Sequence, residues 1–338
     1  MKAEEQGTHR PWKVAVVGCG AVGSYYGARL WQTGAEVHFL LRSDYEAVCA
    51  DGVRILSPQG DFVARPKCAR VPEEIGPVDL VLIGLKTTAN DRFEPLVRPL
   101  VGRETAVLTL QNGLGNEEAL ARLFGPERIL GGLCFVCLNR IAPGVIRHIA
   151  HGLVMLGEYG RPAGERVRHI AHRWEMMGVP CRVTDDLERA HWEKLVWNIP
   201  FNGLGVAALA GWEALEPGYR GPIRPLRNTC VTTEELLADP VGRERVRLLM
   251  REVIAAARAL GHALEESLVE EMIARTRAMG PYKASTLLDY EKGLPLELES
   301  LFEEPRRRAA RAGVATPHLD ALCRVLRELD RHRPAHAP

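Results

Sequence analysis

Short apolar runs closed by glycine fill the first half of the chain, and long stretches of helical period fill the second. Residues 13–17, KVAVV, form a compact apolar run of strand type. GCGAVG follows at once, and SYYGARLWQTG then predicts a helix ending at Gly34. AEVHFLLR predicts a second strand, which completes a βαβ opening. Further strands are predicted over 79–85, 105–110 and 128–136, with a strand-rich stretch over 144–158. Strands alternating with helical or loop segments imply a mostly parallel sheet with helices on its faces, an α/β Rossmann-type, doubly wound sheet.

The pattern changes near residue 184. Thr184, Asp185 and Asp186 carry helix-capping chemistry, and helices are predicted over 187–205, 234–261, 264–279 and 300–330. Residues 211–228 are rich in Gly and Pro and predict a long loop, and the tail from 331 onward is expected to fray. The chain of 338 residues therefore divides into a nucleotide-binding domain, 1–184, and an all-α domain, 185–338.

Composition narrows the partners. Net charge is +1, so no large field favours nucleic acid or an anionic membrane. No run of about 18 apolar residues predicts a membrane span, and the first twelve residues lack an apolar signal core. Eight cysteines include one CxxC, Cys134 and Cys137, inside the apolar run GGLCFVCLNR. No second pair or histidine cluster stands at zinc spacing, so a buried strand is expected there and no metal. Without a disulfide framework, reduced thiols and a cytoplasmic setting are expected.

Gly18, Gly20 and Gly23 form GxGxxG between the first strand and the first helix. The first glycine permits the tight turn, the second lets backbone approach a diphosphate, and the third allows close helix–sheet packing. Residues Gly18, Cys19, Gly20, Ala21, Val22 and Gly23 are thus candidate cofactor contacts. A site for NAD places an acid at the end of the second strand; here FLLRSD puts Arg42 there. An arginine pairs with a 2′-phosphate in bidentate fashion, which favours NADPH. Asp44 lies close enough to serve the competing reading, and Arg42 as a solvated charge is the plain alternative. Lys86 follows the strand at 79–85, and QNGLGNEEAL, with Asn112, follows the strand at 105–110. Ligands in such sheets bind outside the carboxyl ends of strands, so both segments are expected to face the cofactor crevice.

Only seven lysines occur, so each merits inspection. Lys194, Asn198 and Asn202 recur every four residues and share one stripe of a helix. Periodicity alone fits a solvated face as well. Pro200 inside this helix is expected to kink or loosen it. Trp192 and Trp197 are expected to pack the helix into the core. His148 and His191 have no partner acid in the pattern and are expected to be structural or exposed.

The segments HWEKLVWNIPFNGL and KASTLLDYEKGLPLELESLF, taken with GCGAVG, Arg42, LKTTAN and QNGLGNEEAL, resemble the ketopantoate reductase family through nearly the whole chain. The resemblance implies a Rossmann domain followed by an all-α domain like the C-terminal domain of 6-phosphogluconate dehydrogenase. It implies NADPH-dependent reduction of 2-dehydropantoate, which feeds pantothenate and coenzyme A synthesis. It assigns the cofactor to Gly18–Gly23, Arg42, Lys86 and a position near Cys137. It assigns Asn112 to cofactor and substrate, Lys194 to proton donation, and Asn198, Asn202 and Ser285 to substrate. Glu297 is matched to a catalytic glutamate that also contacts the cofactor, able to bind a substrate hydroxyl or the cofactor ribose or to neutralise a lysine; one exposed acid among several is the rival for it, and a simple helix cap is the rival for Ser285. The family's Glu-Ile-Asp motif is ELESLFEEP here, with Glu299 in the aspartate position and expected at the surface, and residues 211–233 are longer than the family leads one to expect.

In this scheme negative charge grows on the ketone oxygen as hydride arrives, and a lysine ammonium supplies both charge and proton. A reductase of another 2-oxo acid is the nearest alternative. A non-catalytic, NADPH-binding regulator is the alternative of another class. A homodimer through the helix-rich C-terminal surface is also expected.

Overall fold

The computed structural model describes residues 10–334. The polar leader before residue 10 and the end of the tail expected to fray lie outside the described residues.

The described residues form two compact units, one of residues 10–111 with 117–187, the other of 112–116 with 188–334. The first unit holds strands β1 (Lys13–Val17), β2 (Glu36–Leu40), β3 (Val53–Leu56), β4 (Phe62–Ala64), β5 (Lys67–Ala69), β6 (Val78–Ile83), β7 (Val101–Thr109), β8 (Ile129–Ala142), β9 (Val145–Glu158) and β10 (Cys181–Val183). They form one sheet in the order β4-β3-β9-β8-β7-β6-β1-β2-β5, with β10 against β9. Its centre is parallel: β1 pairs with β2 and β6, β6 with β7, and β7 with β8. The β3–β4 and β8–β9 pairs are antiparallel, so the sheet is mixed rather than simply parallel.

The apolar run of β1 reflects burial on both faces. Val14 and Val16 join one core with Phe39, Leu80 and Leu82, whereas Ala15 and Val17 join another with Val81, Ile83 and Val107. Helices α1 (Ala21–Gln32), α2 (Tyr45–Asp51), α3 (Phe93–Val97), α4 (Asn116–Phe124) and α5 (Glu165–Glu175) accompany this sheet. The CxxC lies on β8 as expected; Cys137 is buried and Cys134 half-buried, and neither is in a disulfide.

The second unit is helical: α6 (Leu187–Ala207), α7 (Thr233–Ala238), α8 (Pro240–Ala259), α9 (Leu268–Arg277), α10 (Ser285–Glu291), α11 (Glu304–Arg311) and α12 (Pro317–Arg331). Its core gathers Trp192, Ile199 and Phe201 of α6 with Leu249, Val253, Leu322 and Leu326. The single helix expected over 234–261 is two. Thr232 and Glu235 form a capping box for α7, then Asp239 caps α8 through Val241 N–H at 3.0 Å with Pro240 in the first turn. The helix expected over 300–330 also divides. A π-turn at Glu299–Glu303 precedes α11, Gly313 takes φ +72°, and α12 restarts at Pro317. Helix α6 runs unbroken through Pro200. Among the described residues, no helix is long and apolar enough to cross a membrane.

Candidate active site

The glycines of the β1–α1 turn are fixed by contact. Gly18 takes φ +93°, and a Cβ there would stand 2.3 Å from the backbone N of Leu85. A Cβ on Gly23 would stand 2.2 Å from the Gly18 carbonyl oxygen. One on Gly20 would meet nothing within 4 Å. The first and third glycines thus close the turn, and the second leaves open space. Gly20 is also the N-cap of α1, where no side chain caps the helix. The first-turn N–H groups of Ala21, Val22 and Gly23 therefore meet no capping oxygen from their own N-cap, which suits an anionic diphosphate. The Cys19 thiol lies 3.5 Å from the Leu40 carbonyl oxygen, and burial pushes its pKa well up.

Arg42 is exposed just beyond β2. Asp44, the acid that would serve a ribose diol, is buried and already engaged. It accepts from Arg140 Nε at 2.9 Å, from the Gly144 N–H at 3.1 Å, and from Ser43 Oγ at 2.9 Å. A carboxylate so occupied leaves Arg42 as the side chain at the strand end able to meet an anion. The residues present fit an anionic dinucleotide.

Lys86 stands exposed after β6, before a short 3₁₀ segment, Thr87–Arg92. Behind it the buried Thr109 hydroxyl donates to Gln111 Oε1 at 2.9 Å, and Gln111 Nε2 donates to Asn90 Oδ1 at 2.8 Å. Cys137 occupies the stretch of β8 between Gly131, which pairs with the end of β7, and Arg140, the partner of Asp44.

Residues 112–116 belong with the helical unit, and this brings Asn112 to Lys194. Lys194 Nζ donates to Asn112 Oδ1 at 2.8 Å. The lysine is half-buried on α6, so the solvated-face reading does not describe it. The segment is pinned at its other end. Leu114 N–H donates to the Ser300 carbonyl at 2.9 Å, and Gly113, at φ +88°, passes Ser300 so closely that a Cβ would stand 2.3 Å from that oxygen. Ser300 Oγ donates to Asn116 Oδ1 at 3.3 Å, and Asn116 Nδ2 donates to the Asn112 carbonyl at 3.1 Å. Ser300 lies in the π-turn, three residues after Glu297. Such turns interrupt helices chiefly where a local geometry must be held.

Glu297 is 5% exposed, while Glu299 is exposed and pairs with Arg307. Burial separates these two acids, and the exposed-acid reading of Glu297 fails. Asn198 and Asn202 are both buried. Asn202 Oδ1 accepts from Ser285 Oγ at 3.3 Å and from Thr286 N–H at 3.1 Å. Ala284, the N-cap of α10, has no side-chain oxygen, so an asparagine from α6 supplies the cap. Ser285 is the first residue of α10 and not its cap, which corrects the simple helix-cap alternative. His148 and His191 are buried rather than exposed. Trp192 is fully buried, and Trp197 packs against the same core while donating to Thr276 Oγ1 at 2.9 Å.

Three residues escaped the sequence reading. Gly84, where a Cβ would stand 2.8 Å from Gly23 Cα, is the third wall of the glycine turn; its signal was a glycine ending an apolar strand. Asp289 is a buried acid one turn after Ser285, visible only as an i, i+4 spacing. Ser300 had no signal, because its role depends on a carbonyl.

Known proteins match this arrangement. Residues 14–161 match the family described as Ketopantoate reductase PanE/ApbA, and residues 222–330 match its C-terminal counterpart. The chain belongs to the ketopantoate reductase family. It is an oxidoreductase of that family. A 2-dehydropantoate 2-reductase of Nostoc sp. is 38% identical over 328 residues, covering 94% of this chain and 95% of the relative. The crystal structure of a 2-dehydropantoate 2-reductase from Geobacter metallireducens GS-15 is 47% identical, with a TM-score of 0.85 over 94% of this chain and 99% of that one. One from Methylococcus capsulatus is 35% identical, with a TM-score of 0.83 over 95% and 97%. Helix α6 falls between the two family matches.

Proposed function

We propose that this chain reduces 2-dehydropantoate to (R)-pantoate with NADPH, and that Lys194 donates the proton. The observation that carries the reading is the 2.8 Å bond from Lys194 Nζ to Asn112 Oδ1, on the segment that directly follows β7. The names of the full-length relatives support the substrate.

Residues Gly18 to Gly23 would hold the diphosphate, Arg42 the 2′-phosphate, and Lys86 and the Cys137 stretch the rest of the cofactor. Bound NADPH supplies hydride to the ketone carbon. Lys194 meets the charge that grows on the ketone oxygen and gives that oxygen a proton, leaving a hydroxyl and a neutral amine. An ammonium has three donors; Asn112 takes one and fixes the direction of the others. Asn112 is neutral, so it orients the lysine without cancelling its charge, and the buried Asn198 would hold a substrate oxygen. Ser285, steadied by Asn202, and the buried Glu297 would hold the substrate's carboxylate and hydroxyl oxygens.

The test follows loss of NADPH absorbance over a panel of 2-oxo acids. 2-Dehydropantoate is expected to be consumed fastest. Faster turnover of another 2-oxo acid would move the substrate assignment, and no turnover of any would favour a regulator. In the same assay, Arg42→Ala should raise KM for NADPH far more than KM for NADH. Equal rises would remove the 2′-phosphate assignment.

A further inference from the structure

Three thiols gather beside the turn that carries Arg42. Cys19 belongs to the glycine-rich loop, Cys68 to the edge strand β5, and Cys49 to α2. β5 runs parallel to β2, with Phe39 opposite Cys68 and Leu40 opposite Ala69. The Cys19 thiol rests on the Leu40 carbonyl at 3.5 Å, on the neighbouring strand position.

Helix α2 is locked to the same strand. The Arg70 guanidinium lies 3.8 Å over the Tyr45 ring and also pairs with Glu46. Cys49 is one helical turn beyond Tyr45, on the same helix face. Cys68 is the middle residue of β5, and Arg70 follows that strand directly. Helix α2 and β5 pack against each other, so Cys49 and Cys68 stand on elements in contact. Burial, and with it the neighbouring Cys49 thiol, pushes the Cys68 thiol up to about 12. Cys49 is exposed and Cys68 half-buried.

We propose that Cys49 and Cys68 are a redox-sensitive pair that a peroxide closes into a disulfide, and that closure weakens dinucleotide binding at the adjoining Arg42 turn. Cys49, exposed, meets the oxidant. Its thiolate attacks one peroxide oxygen, the O–O bond breaks, and a sulfenic acid and hydroxide form. The Cys68 sulfur then attacks the Cys49 sulfur and expels its hydroxyl group; the two thiol protons end in water. Two thiols and one hydrogen peroxide become one disulfide and two waters, with two electrons passing from sulfur to oxygen. Bonded sulfurs lie about 2.05 Å apart, well inside the distance of thiols in contact. Closure must draw α2 toward β5, and α2 begins just after Arg42 and Asp44. The effect on binding rests on the cofactor reading above; the bond itself does not.

The test uses the full chain, treated with hydrogen peroxide and digested without reductant. Mass spectrometry should find the Cys49 and Cys68 peptides linked within one chain, and dithiothreitol should part them. NADPH affinity, read by fluorescence, should fall about fivefold or more on oxidation and recover on reduction. By the same linkage, saturating NADPH should oppose closure. Cys49→Ser should prevent the link, and Cys68→Ala should leave a Cys49 sulfenic acid that dimedone traps. Absence of the link, pairing of Cys49 with another cysteine, or a linked protein that binds NADPH unchanged would each overturn the proposal. Failure of the reduced protein to bind NADPH would instead overturn the cofactor reading, with the peptide link still deciding the pair.

Discussion

The glycine turn of the first unit and the polar stripe of α6 in the second are candidate sites built in opposite ways. At the turn, side chains are left out. Gly18 and Gly23 allow backbone to meet backbone, and Gly20 opens onto empty space. Along α6, side chains are put in. Lys194 reaches Asn112, and Asn202 reaches the start of α10. A site made by omission tolerates no substitution that restores bulk. A site made by side chains can lose one group and keep its frame. The two therefore fail differently, and that difference can be measured.

The largest effect is expected at Lys194. Lys194→Ala should cut turnover several hundredfold or more, roughly 3–4 kcal/mol of barrier, while NADPH still binds. Steady-state rates and a binding titration check both halves. Near-normal turnover would move the acid role to another residue and leave the α6 stripe as packing.

Gly18→Ala should act on fold and ligand together. Its Cβ would press into the Leu85 backbone at φ +93°, and neither partner is a side chain that can swing away. A loss of about 1–3 kcal/mol in stability is expected, with NADPH binding lost. Gly20→Ala is the sharper companion: its Cβ meets nothing, so Tm should hold while NADPH binding weakens. Unchanged binding in Gly20→Ala would mean that the open space is not ligand space.

The same contrast explains what could be read from the chain. Backbone-made features write themselves into sequence, because only glycine satisfies Gly18 and Gly23; the β1–α1 turn was legible in its place and in the close packing of its first and third glycines. The two-sided burial of β1 was legible too, as an unbroken apolar run. Strands β3, β4 and β5 were not, because segments of three or four residues carry too little periodicity. The break at Asp239–Pro240 was written as a cap and a first-turn proline inside an otherwise continuous helical pattern, and the pattern masked it. The lysine stripe was visible as spacing, but spacing left a solvated face equally open. What decided it was Asn112, whose segment joins the helical unit by a hydrogen bond from Leu114 N–H to the Ser300 carbonyl. Contacts made to backbone carbonyls leave no residue type to find. Burial did the same for Glu297 and Glu299, two acids either side of Leu298, alike in sequence and opposite in exposure.

Asn202 tests whether the α6 stripe is purely functional. Its Oδ1 serves both Ser285 and the Thr286 N–H, so it is frame as well as site. Asn202→Ala should leave a buried N–H without its acceptor and cost about 1–3 kcal/mol of stability. KM for the 2-oxo acid should rise as Ser285 loses its support. An unchanged Tm would show that water or another group caps α10, and would return Asn202 to a substrate role alone.

The smallest effect separates the units by pH. His148 of β9 is buried among first-unit groups: Nε2 lies 3.0 Å from the His151 carbonyl oxygen and Nδ1 2.9 Å from Ser57 Oγ. The carbonyl can only accept, so Nε2 carries the proton and Nδ1 accepts from the serine. Burial above all lowers the pKa of His148, and the charges of Arg29 and His151 lower it further. The folded state thus prefers the neutral ring. Its contribution to stability is full above the unfolded value, about 6.5, and is lost as pH falls below it. One proton limits the slope to about 1.4 kcal/mol per pH unit. Between about pH 7.5 and pH 5 the wild-type Tm should therefore fall more than that of His148→Gln, which can keep a donor and an acceptor but does not titrate. Parallel curves for the two proteins would place the acid sensitivity elsewhere and leave this hairpin insensitive to pH.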